Sequence, residues 1–92
     1  MPKTTKSKIV WITGASSGIG RALALKMASE EWTVAATARS VASLTTLVED
    51  SKMLPGAIYP FAADVTVSSE ICSILERIET SCGAIDLAVL NA

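Results

Sequence analysis

The fold is decided by a stretch near the start of the chain, which reads Ile-Val-Trp-Ile-Thr-Gly-Ala-Ser-Ser-Gly-Ile-Gly at residues 9–20. Its first four residues are apolar and mostly β-branched, which is typical of a strand buried on both faces. Glycines follow at positions 14, 18 and 20, and from residue 19 to about 31 the apolar residues recur at helical spacing. The stretch therefore predicts a buried strand, a glycine-rich turn and a helix.

Two adjacent rows of side chains define the apolar face of this predicted helix. The first row has large side chains and the second has small ones: Ile19, Leu23 and Met27, then Gly20, Ala24 and Ala28. Residues spaced by four lie on one side of a helix, so both rows are expected to pack on a sheet.

The alternation of strand and helix continues along the chain. Strands are predicted over residues 33–38, 58–63 and 87–90, the last of them short and buried, and helices over 41–50 and from about 67 to 82. Ser40 and Thr66 are the expected N-caps of these helices, and Gly83 is the expected C′ residue of the last one. Pro60 favours a sheet edge for the third strand, because proline cannot donate to a neighbouring strand. The pattern predicts an α/β fold, a partial Rossmann-like parallel sheet of four strands in the order 3-2-1-4.

Composition excludes several classes of function. The chain has 92 residues, of which 50% are hydrophobic, and this indicates a single folded domain after a flexible tail at residues 1–7. A net charge of -1 without a basic stripe argues against nucleic acid as a partner. No apolar run approaches the ~20 residues that cross a bilayer, so no membrane association is expected.

Histidine is absent, and the two cysteines have no companions for a zinc site, so no metal is expected. Cys72 and Cys82 lie ten residues apart on one predicted helix, about 15 Å from each other, which is too far for a disulfide. Without a bridge or a signal peptide, the chain is expected in the cytoplasm.

The glycine-rich turn at residues 13–20 predicts a ligand that carries a diphosphate. Glycines between a strand and a helix let the backbone approach a ligand closely, and the free N–H groups at the helix start favour a phosphate. A Walker A loop is excluded, because Ile19 and Arg21 stand where that motif needs glycine and Ser/Thr. The alternative is a tight turn that binds nothing.

Four motifs in register resemble those of the short-chain dehydrogenases/reductases. Residues 13–20 match that family's T-G-x-x-x-G-I-G pattern, and the others are Ala-Arg-Ser at 38–40, Asp-Val at 64–65 and Leu-Asn-Ala at 90–92. The resemblance covers residues 8–92 and implies an enzyme that transfers a hydride between NADP(H) and a carbonyl or alcohol substrate. It implies as cofactor-binding residues Gly14, Ser16, Ser17, Gly18, Ile19, Gly20, Arg39, Ser40, Asp64, Val65, Asn91 and Ala92.

The resemblance also implies a role for each motif. Residues 14–20 wrap the diphosphate, Asp64 accepts a hydrogen bond from the adenine amino group beside Val65, and Asn91 and Ala92 line the cofactor. Two alternatives stay open. Asp64 could merely lead into the following helix, and Asn91 could tie backbone groups at the end of a strand.

Arg39 decides which nicotinamide cofactor is expected. It follows the second predicted strand, 25 residues after Gly14, near where NAD-binding folds place an acid that holds the ribose hydroxyls. A guanidinium there would instead pair with the 2′-phosphate of NADP, to which the hydroxyls of Ser16 and Ser40 could add contacts. NADP is therefore expected over NAD, and the alternative is a solvated arginine.

The sequence departs from the family pattern in two places. Glu31 stands where the family has a glycine at the end of the first helix, and a left-handed conformation there is costly for a residue with a Cβ. The turn is therefore expected to be either strained or rebuilt. The family's catalytic Ser and Tyr-x-x-x-Lys are also missing. The sole tyrosine, Tyr59, is followed four residues later by Ala63 instead of a lysine.

No catalytic residue is therefore assigned. Residues 8–92 are expected to be the N-terminal part of a single dinucleotide-binding domain, truncated after the fourth strand and inactive alone. The complete enzyme is expected to form homo-oligomers. The alternatives are a non-catalytic nucleotide-binding or interaction module, or a gene remnant.

Overall fold

The computed structural model describes residues 8–16 and 18–91, and the predicted tail at residues 1–7 lies outside them. The elements, in chain order, are β1 Ile9–Thr13, α1 Gly18–Ser29, β2 Thr33–Ala38, α2 Val41–Asp50, β3 Ala57–Ala62, α3 Ser68–Ser81 and β4 Leu87–Val89. The four strands pair in parallel in the order β3-β2-β1-β4. The predicted α/β class, strand order and edge position of the strand that holds Pro60 are confirmed.

Each face of the sheet packs against helices. On one face, α1 and α2 cover alternate strand residues such as Val10, Ile12 and Val34. On the other face, Ile74 and Ile78 of α3 contact Trp11, Ala35 and Phe61, which have the opposite parity along their strands. The two central strands are therefore buried on both sides, as their apolar sequences predict.

The packed face of α1 differs from the prediction in its first turn. Gly20, Ala24, Met27 and Ala28 are buried, but Ile19 is 78% exposed. Gly20 lies so close to the Gly14 carbonyl that no Cβ would fit between them. Because successive residues of a helix point about 100° apart, this contact turns Ile19 away from the sheet. The prediction that Ile19 packs in the core is wrong.

Four residues were expected to have special roles at helix ends, and three of them have those roles in the structure. The Oγ of Ser40 accepts a hydrogen bond from the backbone N–H of Ser43 at 3.1 Å. Gly83, directly after the C-cap of α3, has a φ of 116°, and Glu31, after α1, has a φ of 72°. The predicted cap at Thr66 is wrong, since α3 begins after Val67, which provides no side-chain cap. The Thr66 hydroxyl donates to Asp64 Oδ1 at 2.6 Å.

The fourth strand is less buried than predicted. Among the described residues β4 pairs with β1, and its outer edge has no neighbour. Leu87 is 43% exposed and Leu90, just after the strand, is 74% exposed. An edge position explains the difference, because an apolar sequence is buried only where neighbouring elements cover it.

Candidate functional site

A cleft of about 500 Å³ lies at the carboxyl ends of the strands. In parallel α/β sheets this end is where ligands bind, because the strand-to-helix turns converge there. The cleft is lined by residues at or just past the ends of all four strands: Gly14, Ser16, Thr37, Ala38, Arg39, Ala63, Asp64, Val65, Thr66 and Asn91. Six residues singled out in the sequence are thereby brought together, namely Gly14, Ser16, Arg39, Asp64, Val65 and Asn91.

The other predicted site residues lie beside the cleft or outside the described part of the chain. Gly18, Ile19 and Gly20 form the first turn of α1, where Gly18 and Ile19 are exposed. Ser40 caps α2 with its side chain. Ser17 and Ala92 lie outside the described residues.

Sequence reasoning missed four residues that line the cleft: Thr37, Ala38, Ala63 and Thr66. The available signal was position, because each lies at or just past the end of a strand. Thr37 also anchors the glycine turn, since its carbonyl accepts a hydrogen bond from Ala15 N at 3.2 Å. Its buried Oγ1 accepts a second hydrogen bond from Trp11 Nε1 at 2.9 Å, which fixes the floor of the cleft.

The three glycines of the turn serve different purposes. A Cβ on Gly14 would lie 2.5 Å from the Asn91 carbonyl oxygen, and one on Gly20 would overlap the Gly14 carbonyl oxygen. Packing within the protein therefore requires these two. At Gly18 a Cβ would meet no atom within 4 Å, and the residue has a φ of 58°. The start of α1 is thus an open cradle of backbone that carries no acidic residue in its first turn, as suits an anionic group.

Asn91 holds the end of β4 against the glycine turn. Its backbone N–H donates to Thr13 Oγ1 at 2.9 Å, and the Thr13 hydroxyl donates to the Asn91 carbonyl at 3.2 Å. Its side-chain Nδ2 donates to the Gly14 carbonyl at 3.3 Å. Asn91 therefore ties backbone groups at the end of a strand, and it also lines the cleft.

Asp64 supplies the carboxylate of the cleft. Its Oδ1 accepts hydrogen bonds from the hydroxyl of Thr66 at 2.6 Å and from the backbone N–H of Thr66 at 2.9 Å. These bonds, with a smaller contribution from the positive charge of Arg39, hold the pKa of Asp64 below its usual value. Among the described residues no donor reaches Oδ2. The side chain is therefore an ionised acceptor with one oxygen left for a ligand.

Arg39 supplies the positive charge of the same cleft. It is exposed and stands directly after β2, one residue before the cap of α2. Asp64 is the one acidic side chain among the residues that line the cleft, and it belongs to the β3 side of it. At the end of β2 the cleft therefore presents a guanidinium and no carboxylate.

A family model described as short chain dehydrogenase matches residues 8–92. The chain belongs to the short-chain dehydrogenase family. Among curated members, the 3-oxoacyl-(acyl-carrier-protein) reductase of Thermotoga maritima is 39% identical over 87 residues, which cover 95% of this chain and 35% of the reductase.

Solved structures of other short-chain dehydrogenases superpose closely. The L-sorbose reductase of Gluconobacter frateurii, in complex with NADPH and L-sorbose, has a TM-score of 0.88 at 32% identity over 95% of this chain and 34% of that one. A metagenomic short-chain oxidoreductase in complex with NADP has a TM-score of 0.89 at 31% identity over 95% of this chain and 39% of that one. The chain thus spans between about a third and two fifths of the length of these relatives.

Membrane-spanning helices and groups of metal-ligating side chains are both lacking from the described residues. None of the helices in residues 8–16 and 18–91 has the length and apolar character needed to cross a membrane. The same residues bring together no group of three potential metal ligands among Cys, Asp and Glu.

Proposed function

We propose that this chain is the NADP(H)-binding part of a short-chain oxidoreductase that transfers a hydride between NADP(H) and a carbonyl or alcohol substrate. The observation that carries the proposal is the placement of Arg39 in one cleft with Gly14 and Asp64. The glycine turn offers backbone N–H groups to the diphosphate, Asp64 Oδ2 accepts from the adenine amino group, and Arg39 pairs with the 2′-phosphate. NADP(H) supplies the hydride chemistry when bound, while these residues bind and orient it.

Titration of Arg39 variants with NADP⁺ and NAD⁺ tests this proposal. Arg39→Ala removes the guanidinium and should weaken binding of NADP⁺ alone, although hydroxyl contacts from Ser16 and Ser40 make the loss partial. Arg39→Asp should go further, because a carboxylate repels the 2′-phosphate and accepts hydrogen bonds from the ribose hydroxyls of NAD⁺. Lys52→Asp is the matched control, since it changes the net charge equally just past the other end of α2. It should leave both dissociation constants unchanged.

A second candidate function is a nucleotide-binding module without catalysis of its own. It is favoured by Tyr59, the sole tyrosine, which does not line the cleft and has Ala63 four residues on. A Tyr-x-x-x-Lys pair is therefore missing from these 92 residues. Both candidates predict cofactor binding and no turnover by these 92 residues alone. The coding sequence after the codon for Ala92 distinguishes them, because an open frame that contains Tyr-x-x-x-Lys selects the oxidoreductase.

The same resemblance supports proposals about the domain, the cellular location and the oligomeric state of the enzyme. Residues 8–92 form part of one dinucleotide-binding domain, and the whole enzyme acts in the cytoplasm as a homo-oligomer. A cytoplasmic location accords with Cys72 and Cys82, which are both free thiols. Measuring the location of a tagged protein and the mass of the native enzyme would test both statements.

A further inference from the structure

The loop that carries Asp64 is closed by its own hydrogen bonds. The Asp64 carbonyl accepts from Val67 N at 3.1 Å, which makes residues 64–67 a turn. Within this turn, Oδ1 of Asp64 accepts from the hydroxyl and the backbone N–H of Thr66. The orientation of the Asp64 carboxylate therefore depends on how firmly the turn itself is fixed.

Glu70, in the first turn of α3, reaches back to this loop. Its Oε1 accepts a hydrogen bond from the backbone N–H of Asp64 at 2.7 Å. In the usual capping box, a glutamate three residues into a helix accepts from the N–H of the N-cap residue. Here the N-cap is Val67, whose N–H already bonds to the Asp64 carbonyl, so Glu70 bonds to the residue three places earlier.

This contact joins the turn at residues 64–67 to the first turn of α3. Val67 has no side-chain hydrogen bond to the helix, and Thr66 is engaged with Asp64. The Glu70–Asp64 bond is therefore the side-chain bond that fastens the turn to α3. With it, the N–H, the carbonyl and Oδ1 of Asp64 are all held, and Oδ2 remains for a ligand.

We infer that Glu70 is a positioning residue for adenine recognition, which fixes the turn at residues 64–67 so that Asp64 Oδ2 meets the 6-amino group of the cofactor. This inference rests on the proposed function, in which Asp64 accepts from that amino group. Glu70 does not line the cleft itself and acts through the backbone of Asp64. A residue that merely stabilised α3 would not affect the choice between two purine bases.

The test compares NADP⁺ with its analogue in which hypoxanthine replaces adenine. The analogue has a carbonyl oxygen in place of the amino group and a hydrogen on N1, so the ratio of the two dissociation constants reports recognition of this edge of the base, which includes the Asp64 contact. We expect the wild-type chain to favour NADP⁺ by about tenfold or more, as for a hydrogen bond to a charged group. Glu70→Ala should reduce this ratio by at least about threefold, because the turn loses its anchor.

Two control variants separate positioning from general loss of stability. Glu70→Gln keeps an oxygen acceptor at the same place and should retain the wild-type ratio. Glu79→Ala removes a glutamate from an exposed position of the same helix and should also retain it. An unchanged ratio in Glu70→Ala, in a chain that distinguishes the two bases, would overturn the inference, as would equal binding of both bases by the wild type.

A measurement without cofactor keeps the inference testable if the chain binds neither nucleotide, a result that would count against the proposed function. Carbon-detected NMR titration gives the pKa of the Asp64 carboxyl group directly. Both Glu70→Ala and Glu70→Gln remove the negative charge of Glu70, so the comparison between them isolates the effect of the turn. In Glu70→Ala the loosened turn weakens the hydrogen bonds from Thr66, so the pKa of Asp64 should lie above that in Glu70→Gln, towards the ordinary value of an aspartate. Glu70→Gln should leave this pKa low, and a pKa that is equally low in Glu70→Ala would refute the positioning role.

Discussion

Glu31 closes α1 in a backbone conformation that disfavours any residue with a Cβ. Its N–H donates to the Ala28 carbonyl at 3.1 Å and Trp32 N donates to the Met27 carbonyl at 3.0 Å, which is the hydrogen-bond pattern of a Schellman motif with Glu31 at C′. Its φ of 72° lies in the left-handed region. The motif is thus intact although the residue is unsuited to it.

Replacing Glu31 by glycine should therefore stabilise the fold. Glu31→Gly removes the Cβ penalty and should raise the free energy of unfolding by about 0.5 to 1 kcal/mol. Glu30→Gly is the control, because Glu30 has no positive φ. Glycine there adds freedom to the unfolded chain and removes an exposed ion pair with Lys26, so it should not stabilise the fold. Urea denaturation of the three proteins checks this, and a neutral or destabilising Glu31→Gly would show that the turn does not have this conformation.

Single residues also show where sequence reasoning ends. Comparison with a known pattern identified Glu31 as standing at a position that usually needs glycine, but it left open whether the turn is strained or rebuilt. The role of Thr66 could not be predicted, because a threonine before a helix can cap the helix or bond to a carboxylate two residues earlier. The exposure of Ile19 depends on the contact between Gly20 and the Gly14 carbonyl, which the spacing of apolar residues does not contain.

At the scale of elements, the two edges of the sheet differ in their capacity to recruit another strand. Pro60 lies within β3 and cannot donate a hydrogen bond from its nitrogen. The β4 edge carries no proline or charged residue, and Leu87 and Leu90 are exposed beside it. An uncovered apolar edge is a template for pairing with a further strand.

The 92-residue chain should therefore self-associate through β4 at high concentration. Replacing both Leu87 and Leu90 by lysine should increase the monomer fraction, since charges on an edge oppose strand pairing. Met53→Lys, at an exposed apolar residue far from β4 in the sequence, should leave association unchanged. Light scattering across a range of concentrations measures this, and a wild-type chain that stays monomeric throughout would contradict the expectation.

The elements themselves were largely predictable from sequence. Strand and helix alternate with clear changes of period, and Pro60 indicates which strand lies at an edge. The burial of β4 was overestimated, because an apolar sequence reports a preference for burial and says nothing of which neighbours are present. The cleft was predicted in part for a similar reason: motifs identify Gly14, Arg39 and Asp64, whereas Thr37 and Ala63 line it only through their position in the sheet.

At the scale of the whole molecule, binding and catalysis should separate. The cleft offers groups for a dinucleotide, but the sequence has no Tyr-x-x-x-Lys pair to donate and accept the proton that accompanies hydride transfer. The purified 92-residue chain should therefore show no oxidation or reduction of NADP(H) with a panel of ketones and alcohols. Turnover followed by nicotinamide absorbance, and abolished by a substitution at Gly18, would disprove this expectation.

The preference for NADP over NAD is the central claim about this molecule, and the ratio of their dissociation constants tests it most directly. Isothermal titration of the wild-type chain should give tighter binding of NADP⁺ by roughly tenfold to a hundredfold, as expected when a phosphate meets a guanidinium. Added salt should reduce the ratio, because Arg39 is exposed to solvent, and Arg39→Asp should abolish or invert it. Equal affinities in the wild type, or the same ratio in Arg39→Asp, would contradict the account and leave Arg39 as a solvated residue at the end of β2.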